Sequence, residues 1–444
     1  MYLFVITLVV LSGCKAAPDK TSHGGDVSAE TVIYVTNDVH YLDKSLHDRG
    51  SRYQQVISER DGKNVELVDE LLQALRFSAE ADRPDILLLN GDLSYNGERA
   101  SHRGLAEHLS AIEQLGVKVY VIPGNHDINN PYARSFFNDH AAYTEKVTAK
   151  QFSRIYRDFG YREAISRDKN TLSYVAEPTA KLRLLMLDTN KYNRNTVLNY
   201  PETGGAISPE TRAWIRKTAD QAKKDGAAIV AAMHHSLMDH HPMVNEGFTV
   251  DDAASVRELF AELGIQFVLS GHIHAQEISQ RQTASGPIYD IATSALSVFP
   301  HQIGILRRIP AETRWHYSVK PLPVEAWARA SSAADPRLLN FAAYSETFFK
   351  RGTADMITRR LSSPESASPL TPEELAALAE LMGTLNARYF SGTEYLNQED
   401  IPQSAGYKLL ETHQFDFLSN YARTIMDDPP PRNIELSIPL RNLP

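Results

Sequence analysis

The sequence predicts an α/β fold with layered sheets, followed by a smaller, mainly helical C-terminal domain. Three observations carry this: short apolar runs recur from Thr31 onward, amphipathic stretches separate them, and past about residue 325 strand-like runs give way to helical ones. The runs are Val32–Val35, Ile86–Leu89, Val117–Ile122, Leu182–Leu187, Ala228–Met233 and Ile265–Leu269. Most are continuous rather than alternating, as strands buried on both faces are. Between them, Val68, Leu71, Leu72 and Leu75 share one helical face, as do Leu105, Leu109, Ile112 and Leu115. Strands alternating with helices are the pattern of a layered α/β domain.

The C-terminal region reads differently. Thr371-Pro372-Glu373-Glu374 combines an N-cap Thr, a first-turn Pro and a Glu three residues after the cap, and Ala376, Leu378, Leu381 and Leu385 continue the helix. A Ser/Pro-rich break precedes it at Ser362 to Pro369, and Pro429-Pro430-Pro431 reads as extended, linker-like chain. The expected organisation is a signal segment (1–14), a polar tether (15–30), the α/β domain (31–325) and the helical domain (326–444).

Composition narrows the function. Hydrophobic residues at 42% and charged residues at 23% suit a globular protein with a full core. Net charge is −9 and no long basic run occurs, which argues against a nucleic-acid scaffold while leaving small phosphate substrates open. The single cysteine, Cys14, rules out intrachain disulfides and Cys-rich metal sites. It follows Tyr2–Leu11, an apolar run of signal-peptide length, within Leu11-Ser12-Gly13-Cys14, which resembles a bacterial lipobox. That resemblance implies export, cleavage before Cys14 and a lipid anchor on it, giving a periplasmic or cell-surface lipoprotein; an ordinary cleaved signal and an uncleaved or buried segment are the alternatives. No Lys or Arg precedes the run, so either the amino terminus supplies the positive charge or the true start lies upstream.

Five blocks place metal-capable side chains directly after an apolar strand: Asn37-Asp38-Val39-His40, Asn90-Gly91-Asp92, Pro123-Gly124-Asn125-His126-Asp127, Met233-His234-His235 and Ser270-Gly271-His272-Ile273-His274. Ligand sites in open α/β sheets gather at the carboxyl ends of strands. The i, i+2 spacing of Asp38/His40 and His272/His274 puts each pair on one side of an extended chain. Singly, each block reads better as a turn or a satisfied polar residue than as a metal site. Together and in this order, they carry a resemblance to the calcineurin-like metallophosphoesterases, whose signature runs D-x-H, G-D, G-N-H-D, H and G-H-x-H.

That resemblance implies an α/β/β/α sandwich, with residue roles. Asp38, His40 and His274 would hold one metal ion, Asn125, His234 and His272 a second, and Asp92 would bridge them. The two ions, divalent or trivalent, would be Mn, Fe or Zn, since the donors are oxygen and imidazole without thiolate. A bridging hydroxide would attack a small-molecule phosphoester, with His126 protonating the leaving oxygen. His234 and His235 compete for one role, because neighbours on an extended chain face opposite ways; the family's ligand directly follows the strand, which favours His234. Relatives commonly carry a second Asp three residues after the Gly-Asp aspartate, to orient the acid. Here that position is Tyr95, leaving Asp127 or a backbone carbonyl for the task.

Asp92-Leu93-Ser94-Tyr95-Asn96-Gly97-Glu98, the continuation Asp127-Ile128-Asn129-Asn130-Pro131, Leu187-Asp188-Thr189-Asn190 and His274-Ala275-Gln276 look like the bacterial cyclic-nucleotide phosphodiesterase branch, whose members carry a helical C-terminal domain. The resemblance therefore implies phosphodiester substrates, cyclic nucleotides first. The competing readings are a periplasmic phosphomonoesterase or lipid-headgroup phosphodiesterase, and a non-catalytic surface lipoprotein keeping the fold. Arg134, Asn96, His102, Asp188, Asn190, Tyr192, His240 and His241 read as loop or core residues at least as well as pocket residues.

Overall fold

A computed structural model describes residues 30–58, 62–309, 312–362, 370–396, 398–412, 415–427 and 431–440. The signal segment, the tether up to residue 29 and Cys14 lie outside these residues, as do positions 363–369 of the Ser/Pro-rich break and Pro429-Pro430. Among the described residues no helix is long and apolar enough to cross a membrane.

The strands are β1 (Thr31–Thr36), β2 (Ile86–Asn90), β3 (Lys118–Ile122), β4 (Arg134–Phe137), β5 (His140–Tyr143), β6 (Ser166–Arg167), β7 (Tyr174–Thr179) and β8 (Leu182–Leu187). They continue with β9 (Ala228–Met233), β10 (Phe267–Ser270), β11 (Glu277–Thr283), β12 (Gly286–Ala292), β13 (Gln302–Ile309), β14 (Arg314–Pro321) and β15 (Glu435–Pro439). One sheet has the order β15-β14-β13-β1-β2-β3, with β1, β2 and β3 parallel. The other runs β11-β12-β10-β9-β8-β7-β6, with β8, β9, β10 and β12 parallel. β4 and β5 form a separate hairpin.

Alternate residues of the second sheet enter two different cores, which is why its strands read as unbroken apolar runs. Leu182, Leu184 and Met186 of β8 and Val230 and Ala232 of β9 join the core shared with Ile33, Leu87 and Leu89 of the first sheet. Leu185, Leu187, Ala231 and Met233 face the other way, onto Ile215, Val256 and Phe260 of the covering helices. Outside the first sheet, Leu71 and Leu75 of the helix Val68–Asp82 and Leu105 and Leu109 of Arg99–Glu113 are buried as their periodicity predicts. The result is the expected layered sandwich of sheets flanked by helices.

The helical domain has a core of its own, with Ile357, Leu378, Met382, Leu385, Leu418 and Ile425. The capping box at Thr371 forms: Glu374 N donates to the Thr371 hydroxyl and Thr371 N donates to the Glu374 carboxylate. Ala376, unlike its leucine neighbours, is exposed. After the helices the chain returns to the first sheet, where β15 pairs antiparallel with β14 through Trp315↔Ile438 and Tyr317↔Leu436. The alternation Glu435-Leu436-Ser437-Ile438-Pro439 is the sequence signal for this edge strand, and it follows the stretch read only as extended chain.

Candidate dinuclear metal centre

The five blocks follow directly on β1, β2, β3, β9 and β10, so the first three come from one sheet and the last two from the other. They meet where the carboxyl ends of both sets of parallel strands converge. The backbone there is special. Asp38, His40, Asp92, His272 and His274 all adopt left-handed φ, between 47° and 70°. Asp and His enter this region more readily than most side chains, but each such residue is mildly strained, and strain of this kind clusters at functional sites. Gly91 and Gly124 permit the close approach: a Cβ on Gly91 would lie 2.5 Å from His234 Nδ1, and one on Gly124 2.2 Å from Asp92 Oδ1.

Two groups of converging donors result. Asp38, His40, Asp92 and His274 form one, and Asp92, His234 and His272 the other, with Asp92 common to both. In the first, His40 Nε2 lies 3.2 Å from His274 Nε2, and His274 Nε2 lies 3.3 Å from Asp38 Oδ1. In the second, His234 Nε2 is 3.5 Å from Asp92 Oδ1 and 3.1 Å from Asn125 Oδ1. Asn125 thus joins the second group as a neutral oxygen donor.

The surroundings fit cations. Asp38 Oδ1 is buried and receives no hydrogen bond, an arrangement that is costly unless something positive sits beside it. His234 Nδ1 donates to the Asn90 carbonyl at 2.8 Å and His272 Nε2 to the Gly247 carbonyl at 3.1 Å, so each presents its other nitrogen as a lone pair. Burial drives the imidazoles of His40 and His272 well below the ordinary range, keeping them neutral as metal ligands must be. Burial opposes protonation of His234 too, but Asp92 and Asp38 outweigh it and raise its pKa. Burial alone would raise Asp92, yet His234, His126 and His272 hold it down at about 2. The donors suit a dinuclear centre of Mn, Fe or Zn type without selecting among them.

His235 turns away from the centre. Its Nε2 donates to the Thr203 carbonyl at 2.8 Å and its Nδ1 accepts from the Thr189 hydroxyl at 2.7 Å, so both nitrogens are engaged. His126 stands beside the donors without joining either group. Its Nδ1 donates to the Tyr95 carbonyl at 3.1 Å and to Asn96 Oδ1 at 3.0 Å, and its Nε2 lies 4.0 Å from Asp92 Oδ2. The backbone carbonyl therefore takes the orienting task, together with an amide from the next residue. Asp127 does not: its carboxylate accepts from Leu93 N, Ser94 N, the Ser94 hydroxyl and Gly124 N, tying the loops after β2 and β3 together.

A cavity of about 870 Å³ opens over the centre, with Asp92, Asn125, His126, His272 and His274 on its floor. Its walls bring Val56, Ile57, Val65, Tyr95 and Phe136 together with Arg52, Lys63 and Arg134. Of the loop residues weighed from sequence, Asn96 and Arg134 line this cavity, whereas His102, Asp188, Asn190, Tyr192, His240 and His241 serve elsewhere. Asp188, for instance, is buried and accepts from Leu172 N and the Tyr192 hydroxyl. Lys63 is a wall residue that no strand end or periodicity announces.

Comparison with known proteins agrees with this geometry. Residues 31–276 match the calcineurin-like phosphoesterase family, and residues 323–430 match the C-terminal domain of cyclic nucleotide phosphodiesterase. An uncharacterized metallophosphoesterase-like protein of Bacillus subtilis is 23% identical over 51% of this chain and 49% of its own length. A probable glycerophosphodiester phosphodiesterase of Arcobacter nitrofigilis is 24% identical over 43% of this chain and 57% of its own. A cAMP/cGMP dual specificity phosphodiesterase of Mycobacterium tuberculosis is 25% identical over 46% and 52%. The chain spans about half the length of these relatives. With a family match over more than half its residues and two donor groups sharing one carboxylate, the chain belongs to the calcineurin-like phosphoesterases and carries the helical C-terminal domain found in bacterial cyclic-nucleotide phosphodiesterases.

Proposed function

We propose that the protein hydrolyses phosphodiesters, with cyclic nucleotides the leading substrates. The observation that carries hydrolysis is the pair of donor groups sharing Asp92 at the floor of a cavity, with His126 alongside. Asp38, His40 and His274 would hold one ion, Asn125, His234 and His272 the other, and Asp92 both. Bound there, such ions supply a Lewis-acid clamp on phosphoryl oxygens and a water of lowered pKa.

The chain's own residues do the rest. Asp92 receives the His126 backbone N–H at 2.9 Å, which fixes the loop after β3 against the loop after β2. Because Nδ1–H of His126 is committed to Tyr95 and Asn96, Nε2 is the nitrogen that faces the departing oxygen, and it delivers a proton from the imidazolium form, in which both ring nitrogens are protonated. The apolar wall of Val56, Ile57, Val65 and Phe136 suits a flat organic group, such as a nucleobase. The C-terminal match to cyclic nucleotide phosphodiesterase supports the same choice. A glycerophosphodiester is the second reading, favoured by the Arcobacter relative. We further propose that the protein is exported and anchored through a lipid on Cys14.

A panel of cyclic nucleotides, glycerophosphodiesters and phosphomonoesters on metal-reconstituted protein tests this. The expected result is chelator-sensitive turnover with the highest kcat/KM on cyclic nucleotides. Faster turnover of monoesters, or turnover indifferent to chelator, overturns it.

A further inference from the structure

The loop that carries His126 runs through Asn130 and Pro131 into the hairpin of β4 and β5. There every second residue, Tyr132, Arg134 and Phe136, lines the catalytic cavity, as same-side positions of an extended chain do. Tyr132 keeps 45% of its surface exposed. The Arg134 guanidinium is held in place: its carbon lies 3.5 Å from the ring centre of Tyr143, its cross-strand partner on β5, and its Nη1 donates to the Pro131 and Ala133 carbonyls at 2.8 and 2.9 Å. Phe136 is buried with Ile57, Val65 and Tyr95, which joins this strip to the apolar wall of the cavity.

The hairpin supplies no member of the two donor groups and forms no ladder with either large sheet, yet it is fixed on three sides. Asp48 N donates to the Phe136 carbonyl at 3.1 Å, and the Asp48 carboxylate accepts from Asn138 N at 2.8 Å. Arg99 N donates to the Glu145 carbonyl at 2.8 Å, and its guanidinium pairs with the Glu145 carboxylate at 2.8 Å. The third tie reaches the proton donor. The buried Asn130 side chain accepts from Tyr132 N at 2.9 Å through Oδ1 and donates to the His126 carbonyl at 2.9 Å through Nδ2. A strip of planar groups fixed in this way loses little freedom when a flat ligand covers it. In a cyclic nucleotide the departing oxygen and the base are carried by one ribose, so the surface that reads the base belongs close to His126.

We propose that the nucleobase of the substrate stacks on the Tyr132 ring and the Arg134 guanidinium, with Phe136 closing the apolar end of the strip. The proposal rests on the cyclic-nucleotide reading of the site. Tyr132 and Arg134 are specificity-determining residues that contact the base; Asn130 is a positioning residue that sets the strip relative to His126.

The test uses full-length, metal-reconstituted protein, with adenosine 5′-monophosphate and ribose 5-phosphate as probes, binding measured by calorimetry and metal content checked alongside. Wild type should bind the nucleotide about 10- to 100-fold more tightly than ribose 5-phosphate, which carries the same phosphate without the base. Tyr132→Ala should weaken the nucleotide by about 5- to 30-fold and Tyr132→Phe by less than about 2-fold, because the ring and not the hydroxyl makes the contact. Arg134→Lys keeps the charge, loses the plane and should weaken the nucleotide by about 3- to 10-fold. In each variant the affinity for ribose 5-phosphate should move by less than about 2-fold. In turnover of cyclic nucleotides, Tyr132→Ala should raise KM more than it lowers kcat. Equal affinity of the wild type for the two probes overturns the proposal. So does a Tyr132→Phe loss as large as that of Tyr132→Ala. Equal losses on both probes in Arg134→Lys would make the arginine a phosphate contact and overturn its stacking role. Should Arg134→Lys fail to fold, the two variants of half-exposed Tyr132 decide. If the wild type hydrolyses no cyclic nucleotide, the functional reading fails, and the comparison of the two probes still decides this one.

Discussion

Replacing His126 with Ala separates proton donation from metal binding. The substitution removes the imidazole but keeps the backbone N–H that donates to Asp92 Oδ1 at 2.9 Å, so the cradle of donors survives. His126 belongs to neither donor group. Its Nε2 is the free nitrogen, and what it contributes depends on how badly the departing oxygen needs a proton. A ribose alkoxide needs one; a nitrophenolate leaves without it. His126→Ala should lower kcat on a cyclic nucleotide by about 10²–10⁴, and on a nitrophenyl diester by less than about 10. Asn96→Ala removes one of two acceptors on Nδ1 and leaves the Tyr95 carbonyl, so about 3- to 10-fold is expected, again mainly on the poor leaving group. Tyr95→Phe keeps that carbonyl and should show no leaving-group signature. Steady-state kinetics on both substrates, with elemental analysis of each variant, give the answer. An equal fall on both substrates with metals retained would show that His126 positions the substrate; loss of metal would show that the division between donors and acid is wrong.

Three further outcomes are expected. Asp92→Ala should lose both ions together, because one carboxylate serves both groups; retention of a full complement of one ion in elemental analysis refutes the shared role. Burial pushes the Glu98 carboxyl up to about 7, with Oε1 unpartnered. In the fold Glu98 keeps a proton that the unfolded chain releases above its ordinary 4.5, so its contribution to stability is full below that pH and is lost as pH rises through about 7. Glu98→Gln should remove that loss, by about 3 kcal/mol at pH ~8, and an unchanged slope of unfolding free energy against pH refutes the assignment. Finally, Cys14→Ser should move the protein from membrane to soluble fractions, and a wild-type mass without acylated Cys14 rules out the anchor.

The parts of this protein legible in its sequence share a physical cause. Strands buried on both faces must be apolar throughout, so β1, β2, β3, β8, β9 and β10 stood out, and the polar blocks at their ends stood out against them. The structure brings Asp38, His40, Asp92, Asn125, His126, His234, His272 and His274 together because each block follows such a strand. What escaped is what depends on contacts far apart in sequence. Lys63 sits between a glycine and an asparagine before a short helical turn, and it bridges to Val298, far along the chain, beside the cavity it lines. The orientation of His126 depends on a carbonyl, which no side-chain pattern encodes. The role of Asp127 was ambiguous for the same reason: its four hydrogen bonds to the loops after β2 and β3 exist only once those strands lie side by side.

The pairing of β15 with β14 has a consequence for biosynthesis. Glu435–Pro439 completes the edge of the first sheet beside Arg314–Ser318, more than a hundred residues earlier in the chain. Emerging from the ribosome, the nascent polypeptide has every donor of the metal centre available by His274, yet β14 must wait as an open edge until the entire helical region has been synthesised. Such a late, non-local closure slows folding and leaves a strand open to pairing with other chains in the meantime. The same topology makes the helical region a loop thrown out from one sheet and returned to it, so that the two regions should melt in a single transition.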